Sequence, residues 1–202
     1  NELLKSHEAD HNGKADGFNL LIPDLPGHDA THCSRHSTHG LREMADDLQA
    51  LLKHLGIEQL DLVVGHSAGA AVAIWLSLLG VPIKKILGVA PSLVPPPALY
   101  NLMLGPLLTP LFISSPSVAG LSALARGPRF VDGLIASTGS QIPEDQQEEY
   151  RRIFAQRSHV KGAIEFMAGT DLPTLLARGN ELKAELSLLI AEDDRWIPAS
   201  GL

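Results

Sequence analysis

Ser67 is the residue whose surroundings most plainly offer chemistry. It stands at the centre of Gly65-His66-Ser67-Ala68-Gly69, after the run Leu60-Asp-Leu-Val-Val64 and before an alanine-rich, helix-favouring run over 70–79. Strand, sharp turn and helix are the context in which a Gly-x-Ser-x-Gly pentapeptide acts as a nucleophile elbow. A tight turn, of which His66 is part, lifts the Ser67 hydroxyl clear of the backbone. Gly65 and Gly69 are expected to remove side chains that would collide where strand meets helix. The Ala68 N–H then points from the new helix N-terminus toward an oxyanion formed beside Ser67.

A serine hydroxyl is a poor nucleophile without a base, and the base needs an orienting acid. That acid belongs at the C-terminal end of a strand after the nucleophile. The run Leu186-Ser-Leu-Leu-Ile190 leads into Glu192-Asp193-Asp194-Arg195-Trp196-Ile197-Pro198. Asp194 is the candidate, with Asp193 as its neighbour and rival; the alternative is that both cap a turn. The one histidine after Ser67 is His159. It precedes the acid and lies among helical pieces, so packing or hydrogen bonding is expected of it rather than the role of base. The base is expected beyond Leu202.

These residues need a frame. An apolar run over 18–22 reads as a strand that stops at the turn cluster Pro23-Asp24-Leu25-Pro26-Gly27-His28. Asp24 there fits a turn better than an acid. Residues 1–17 show no sustained periodicity and read as loop. His28, His32, Cys33, His36 and His39 lie close together and raise the question of zinc. No second ligand pair of recognisable type follows, so a solvated loop, with no metal, is expected. Leu41, Met44, Ala45, Leu48, Leu51, Leu52 and Leu55 recur at helical spacing, with Gly56 as the stop. A strand over 84–90 follows the elbow helix. Alternation of strand and helix argues for an α/β fold with a mostly parallel sheet flanked by helices.

From Ile86 to Ala125 there is no Asp, Glu, Lys, Arg or His, but prolines recur from Pro91 to Pro116. Those prolines forbid one long helix, so no membrane span is expected. Short apolar helices are expected instead, inserted where they can roof the nucleophile. The division that results is an N-terminal part of the core over 1–90, a helical lid over 91–179, and an incomplete C-terminal part of the core over 180–202. Leu93, Leu99, Leu102, Met103, Leu107 and Phe112 are candidates to line an apolar pocket between lid and elbow. Such a pocket suits a flat or long apolar molecule and rejects sugars and nucleotides, whose polar groups would lose hydrogen bonds to water.

The 202 residues carry a formal net charge of −7, which argues against a nucleic-acid surface and gives no basic patch for anionic lipid. A single cysteine, Cys33, makes no internal disulfide, and a cytoplasmic location is expected. The chain starts at Asn1, and truncation at both ends is expected.

The elbow, the Asp24-to-His28 turn and the Glu192-to-Pro198 turn together resemble the α/β-hydrolase superfamily. Gly65-His-Ser-Ala-Gly-Ala-Ala71, Thr138-Gly-Ser140, Tyr150, His159-Val160, Met167-Ala168 and Asp171-Leu172 resemble more closely the magnesium-chelatase accessory α/β-hydrolases of bacteriochlorophyll biosynthesis. The resemblance runs from about Phe18 to Pro198. Asp29 departs from it, standing where a glycine is common. The superfamily implies a second oxyanion N–H from a loop before Phe18. The closer family implies an association with magnesium insertion into protoporphyrin, hence a tetrapyrrole or magnesium chelatase as partner, and no cofactor. Three functions stay open on these residues: a serine hydrolase acting on an apolar ester or amide, a non-catalytic tetrapyrrole-binding module, and a generic lid-bearing esterase.

Overall fold

The apolar stripe that begins at Leu41 needs something to pack on, and the uncharged run behind the elbow supplies it. In the computed structural model, helix α1 (Leu41–His54) buries Leu41, Met44, Ala45 and Leu52 against α2 (Ala68–Leu78), whose residues from Ala70 to Leu76 are all buried. The structure describes residues 4–6, 19–28, 31, 40–94, 115–125, 128–139, 141–192, 194, 196 and 197. Both helices stop in the same way. Gly56 (φ 69°) and Gly80 (φ 95°) take the left-handed conformation that L side chains avoid. The next N–H groups, of Ile57 and Val81, then reach back to the Leu52 and Leu76 carbonyls at 2.9 and 3.3 Å.

Strands β3 (Leu60–His66), β4 (Ile83–Val89) and β5 (Glu185–Leu189) form a parallel sheet in that order. Gly65 lies opposite Gly88, and Val89 lies between His66 and Leu189. Because the strands are parallel, all three end on one edge, where open α/β sheets place their ligands. A strand forms within 18–22 as expected, and it has a partner that periodicity does not foretell. Asn19–Leu21 (β2) pairs antiparallel with Leu4–Ser6 (β1) in a separate two-stranded sheet. That partner falls in a stretch whose sequence predicts loop, because three residues are too few to show alternation.

After β4, helices α3 (Ser115–Ala125), α4 (Pro128–Thr138), α5 (Glu144–Phe154) and α6 (Arg157–Ala168) follow one another. Pro116 sits in the first turn of α3, where a missing N–H is no loss. Val118, Val160 and Ile164 make a second cluster, packed by Phe154 and Met167. Arg151 on α5 is gripped by Asp132 of α4, at 2.7 Å, and by Glu144 and Glu148 of its own helix, at 2.7 and 3.0 Å. Hydrogen bonds to Glu144, Asp132 and Glu148 hold its guanidinium pKa above the ordinary value. Helix α6 lies close on the segments before α1. A Cβ on Gly162 would run into the Gly27 carbonyl, and one on Gly40 into the Gly169 carbonyl. Among the described residues, no helix is long and apolar enough to cross a membrane.

Helix α7 (Leu172–Ala177) is capped by Asp171. Its carboxylate accepts the Thr174 N–H at 3.1 Å and the Thr174 hydroxyl at 2.6 Å. Those two bonds, the hydroxyl's first, hold its pKa below the ordinary carboxylate value. A depressed folded pKa means the cap is fully present above the unfolded value and is lost as pH falls through the folded one. Asp171→Ala should therefore cost about 1 kcal/mol at neutral pH. Thermal melts of variant and parent should converge as the medium turns acidic; an undiminished gap in acid would contradict the cap. Just past α7, Arg178 reaches Trp75 of α2, 3% exposed, whose ring lies 5.3 Å from the Arg178 guanidinium and 5.8 Å from that of Arg42 on α1.

Candidate active site

Ser67 occupies the turn between β3 and α2 with φ 51° and ψ −121°. That region is sparsely populated by L residues and costs of order 1–3 kcal/mol, so it persists only where neighbours over-determine it. Here they do. The Ser67 N–H donates to the Val89 carbonyl at 2.9 Å, and the Ser67 carbonyl accepts the N–H groups of Ser92 at 3.1 Å and Ala70 at 3.2 Å. Ala68 is the first residue of α2, so its N–H has no acceptor within the helix. No acidic residue sits in the first turn of α2 to offset the positive end of the helix dipole. The Ala68 N–H is thus free of intrahelical bonding where an oxyanion beside Ser67 would form. His66 ends β3 with its side chain exposed.

The two elbow glycines differ. A Cβ on Gly65 would lie 2.5 Å from the Ala70 nitrogen and from the Gly69 carbonyl group, all backbone. A Cβ on Gly69 meets nothing within 4 Å. The collision expected of both belongs to Gly65 alone. Gly88, inside β4, shares the burden: a Cβ there would lie 2.9 Å from Leu188 Cδ2 and 3.2 Å from Ala70 Cβ. A glycine inside an apolar strand was the available signal. Gly65→Ala should lower stability by about 1–3 kcal/mol, the range for an overpacked core, and Gly69→Ala should leave the melting temperature unchanged or raise it slightly. Equal melting temperatures for the two variants would contradict this division.

Strand β5 ends at Leu189, and the chain passes on to Asp194 on the same sheet edge as Ser67, with β4 between them. Asp194 Oδ1 accepts the N–H groups of Trp196 at 2.8 Å and Ile197 at 2.9 Å, and the Asp194 N–H reaches the Ala191 carbonyl at 3.4 Å. Its side chain therefore shapes a turn, as the alternative reading had it. Among the described residues, no hydrogen bond reaches Oδ2. Fixing one oxygen aims the other, so the turn does not compete with orienting a base. Asp193 lies outside the described residues.

The remaining candidates divide. Asp24 is exposed in its turn. Leu93 is 9% exposed and belongs to the main core cluster. Leu99, Leu102, Met103, Leu107 and Phe112 lie outside the described residues, and so do His32, Cys33, His36 and His39. His28 Nδ1 lies 3.1 Å from the Pro26 carbonyl, and its ring meets those of His159 at 5.2 Å and Phe166 at 6.2 Å. The His159 ring also stands 5.5 Å from that of Phe154. Among the described residues, no group of three or more His, Cys, Asp or Glu is placed to hold a metal. Cavities of about 760 and 550 Å³ open beside Gly80, Val81 and Pro82. They lie at the start of β4, the edge of the sheet away from Ser67.

A sequence profile described as the alpha/beta hydrolase family matches residues 4–201. The magnesium-chelatase 30 kDa subunit of Rhodobacter capsulatus is 27% identical over 183 residues, covering 90% of this chain and 63% of that protein. The chain thus spans less than two thirds of that relative's length. Among solved structures, an alpha/beta hydrolase fold protein from Burkholderia ambifaria superposes with a TM-score of 0.70 at 17% identity, over 92% of this chain and 67% of that one. An esterase from Exiguobacterium antarcticum superposes with a TM-score of 0.63 at 14% identity, over 92% and 68%. At those identities the structures speak to the fold.

Proposed function

We propose, from the premise that this chain belongs to the alpha/beta hydrolase family, that it is a serine hydrolase acting on an apolar ester or amide. Ser67 attacks the substrate carbonyl. The Ala68 N–H stabilises the oxyanion. Asp194, through Oδ2, orients the histidine that takes the Ser67 proton. One observation carries this reading: Ser67 is held at φ 51° between a parallel strand and a helix N-terminus, over a glycine that no other residue could replace without backbone movement. His159 is assigned to packing rather than to the base, since the ring neighbours described for it are His28 and Phe154.

Residues 91–179 are proposed as the helical roof that supplies an apolar pocket, with Met103, Leu107 and Phe112 as lining residues. Leu93 belongs to its root. A cytoplasmic location is part of the same reading, the chain's single cysteine requiring no oxidising compartment. The test is a fluorophosphonate probe on the full-length protein, followed by peptide mass spectrometry. An adduct on the peptide that contains Ser67 is expected; one that maps elsewhere refutes the assignment.

A second reading is favoured by the relative named as a subunit of magnesium chelatase. In it the chain holds a tetrapyrrole for a chelatase, and the elbow is a relic of the fold. In a strain lacking the gene, Ser67→Ala would restore pigment synthesis fully, whereas deletion of residues 91–179 would not. Loss of pigment with Ser67→Ala favours the hydrolase.

A further inference from the structure

We propose that the turn Ala90-Pro91-Ser92 is a positioning strap for the nucleophile, in which Ser92 acts through its backbone N–H and not through its hydroxyl. This rests on the reading of Ser67 as nucleophile. Ser67 has two backbone polar groups, and both are held by the one segment that runs out of β4. Its N–H donates to the Val89 carbonyl at 2.9 Å, and its carbonyl accepts the Ser92 N–H at 3.1 Å. A residue forced to φ 51° needs such fixings from outside its own helix, because α2 can rotate with its first turn.

The strap is stiff in its own right. Ala90 is itself left-handed, at φ 41°, and its N–H donates to the Leu189 carbonyl at 2.8 Å. Pro91 is fully buried with φ fixed by its ring, and the Leu93 N–H closes back on the Pro91 carbonyl at 2.8 Å. Leu93 and Val94 then bury their side chains. Leu189 is the last residue of β5, the strand that leads to Asp194. One run of backbone contacts therefore connects the strand of the acid, through Leu189, Ala90 and Ser92, to the turn of the serine. Without the Ser92 donor the Ser67 carbonyl keeps only the Ala70 N–H of its own helix, and the peptide between Ser67 and Ala68 can rotate with that first turn. That motion displaces the attacking hydroxyl and the Ala68 N–H together. Both groups act chiefly in the transition state, so turnover suffers more than binding.

The decisive variant replaces the amide between Pro91 and Ser92 by an ester, using the α-hydroxy acid counterpart of serine. It deletes the N–H and keeps the side chain. Ser92→Ala is the converse control, keeping the N–H and deleting the hydroxyl. Both are compared with the parent full-length protein for kcat and KM on p-nitrophenyl butyrate, and for amide hydrogen exchange at Ser67. The ester should lower kcat about tenfold or more, since small misplacements of a reacting group are costly, with KM within about twofold. Exchange at Ser67 should rise about tenfold, the N–H having lost its fixed geometry. Ser92→Ala should match the parent in all three. An ester variant with parental kcat or parental exchange overturns the strap, and so does a Ser92→Ala that loses as much turnover as the ester. If Ser67→Ala turns over as fast as the parent, the nucleophile assignment is what fails, and the exchange measurement decides the strap by itself.

Discussion

Ser67→Ala is expected to bring ester turnover by the full-length protein down by about 10⁴-fold or more, to the level left by the oxyanion donor and binding alone. The size follows from what the hydroxyl does. In the proposed mechanism it forms the covalent bond that splits one difficult step into two, and no other described side chain stands on a strand-to-helix turn of this kind. Stability should move little, because the backbone fixings of Ser67 survive the change. Ser67→Gly should be equally inactive yet more stable by up to the strain released, of order 1 kcal/mol, since glycine tolerates φ 51°. Steady-state hydrolysis of p-nitrophenyl butyrate and thermal melts measure both effects. Undiminished hydrolysis in the alanine variant would end the serine-hydrolase reading; a glycine variant that melts lower would show that the turn is not strained.

Asp194→Asn is the second large effect, and it separates the turn that the carboxylate makes from the orienting role proposed for it. The amide oxygen of asparagine can still accept the N–H groups of Trp196 and Ile197, so the turn should hold and the melting temperature should stay close to that of the parent. The other position becomes an N–H₂ donor, which cannot orient a histidine for proton abstraction. Turnover should fall by about 10³–10⁴-fold, as when a triad acid is made neutral. Asp194→Ala should lose both turn and turnover. Were Asp194→Asn to keep full activity, the residue would be a turn cap and nothing more. A rise in turnover with pH through the titration of the base, present in the parent and absent in Asp194→Asn, would complete the case.

What could be read in advance divides by range. The elbow was legible because strand, turn and helix are contiguous in sequence, and α1 because its leucines repeat at helical spacing. Asp194 draws attention in the sequence because it follows the strand after Ser67, and what the structure displays there is the turn it caps, the other role open to it. The grip on Ser67 from Ser92 was not legible, since it joins the ends of two separate strands. Gly88 was hidden for the same reason: its importance comes from Ala70 and Leu188 across the sheet and helix, not from its neighbours in the chain. Arg151 reads locally as one more charge on a polar helix, and only the packing of α4 brings Asp132 to it. Gly69 went the other way. A motif letter implied a collision that the local geometry does not contain.

The sequence holds two tryptophans, and their placement gives the molecule a built-in pair of optical reporters. Trp75 is shielded on the elbow helix with two guanidinium groups close to its ring, and Trp196 is 39% exposed with its backbone bonded to Asp194. Iodide should therefore quench one emission and spare the other. The quenched fraction follows the turn that Asp194 makes, while the protected, bluer fraction follows the packing of α2 beside Arg42 and Arg178. A compound that binds at the sheet edge beside Asp194 can then be followed through Trp196, with Trp75 as the internal reference, without a label.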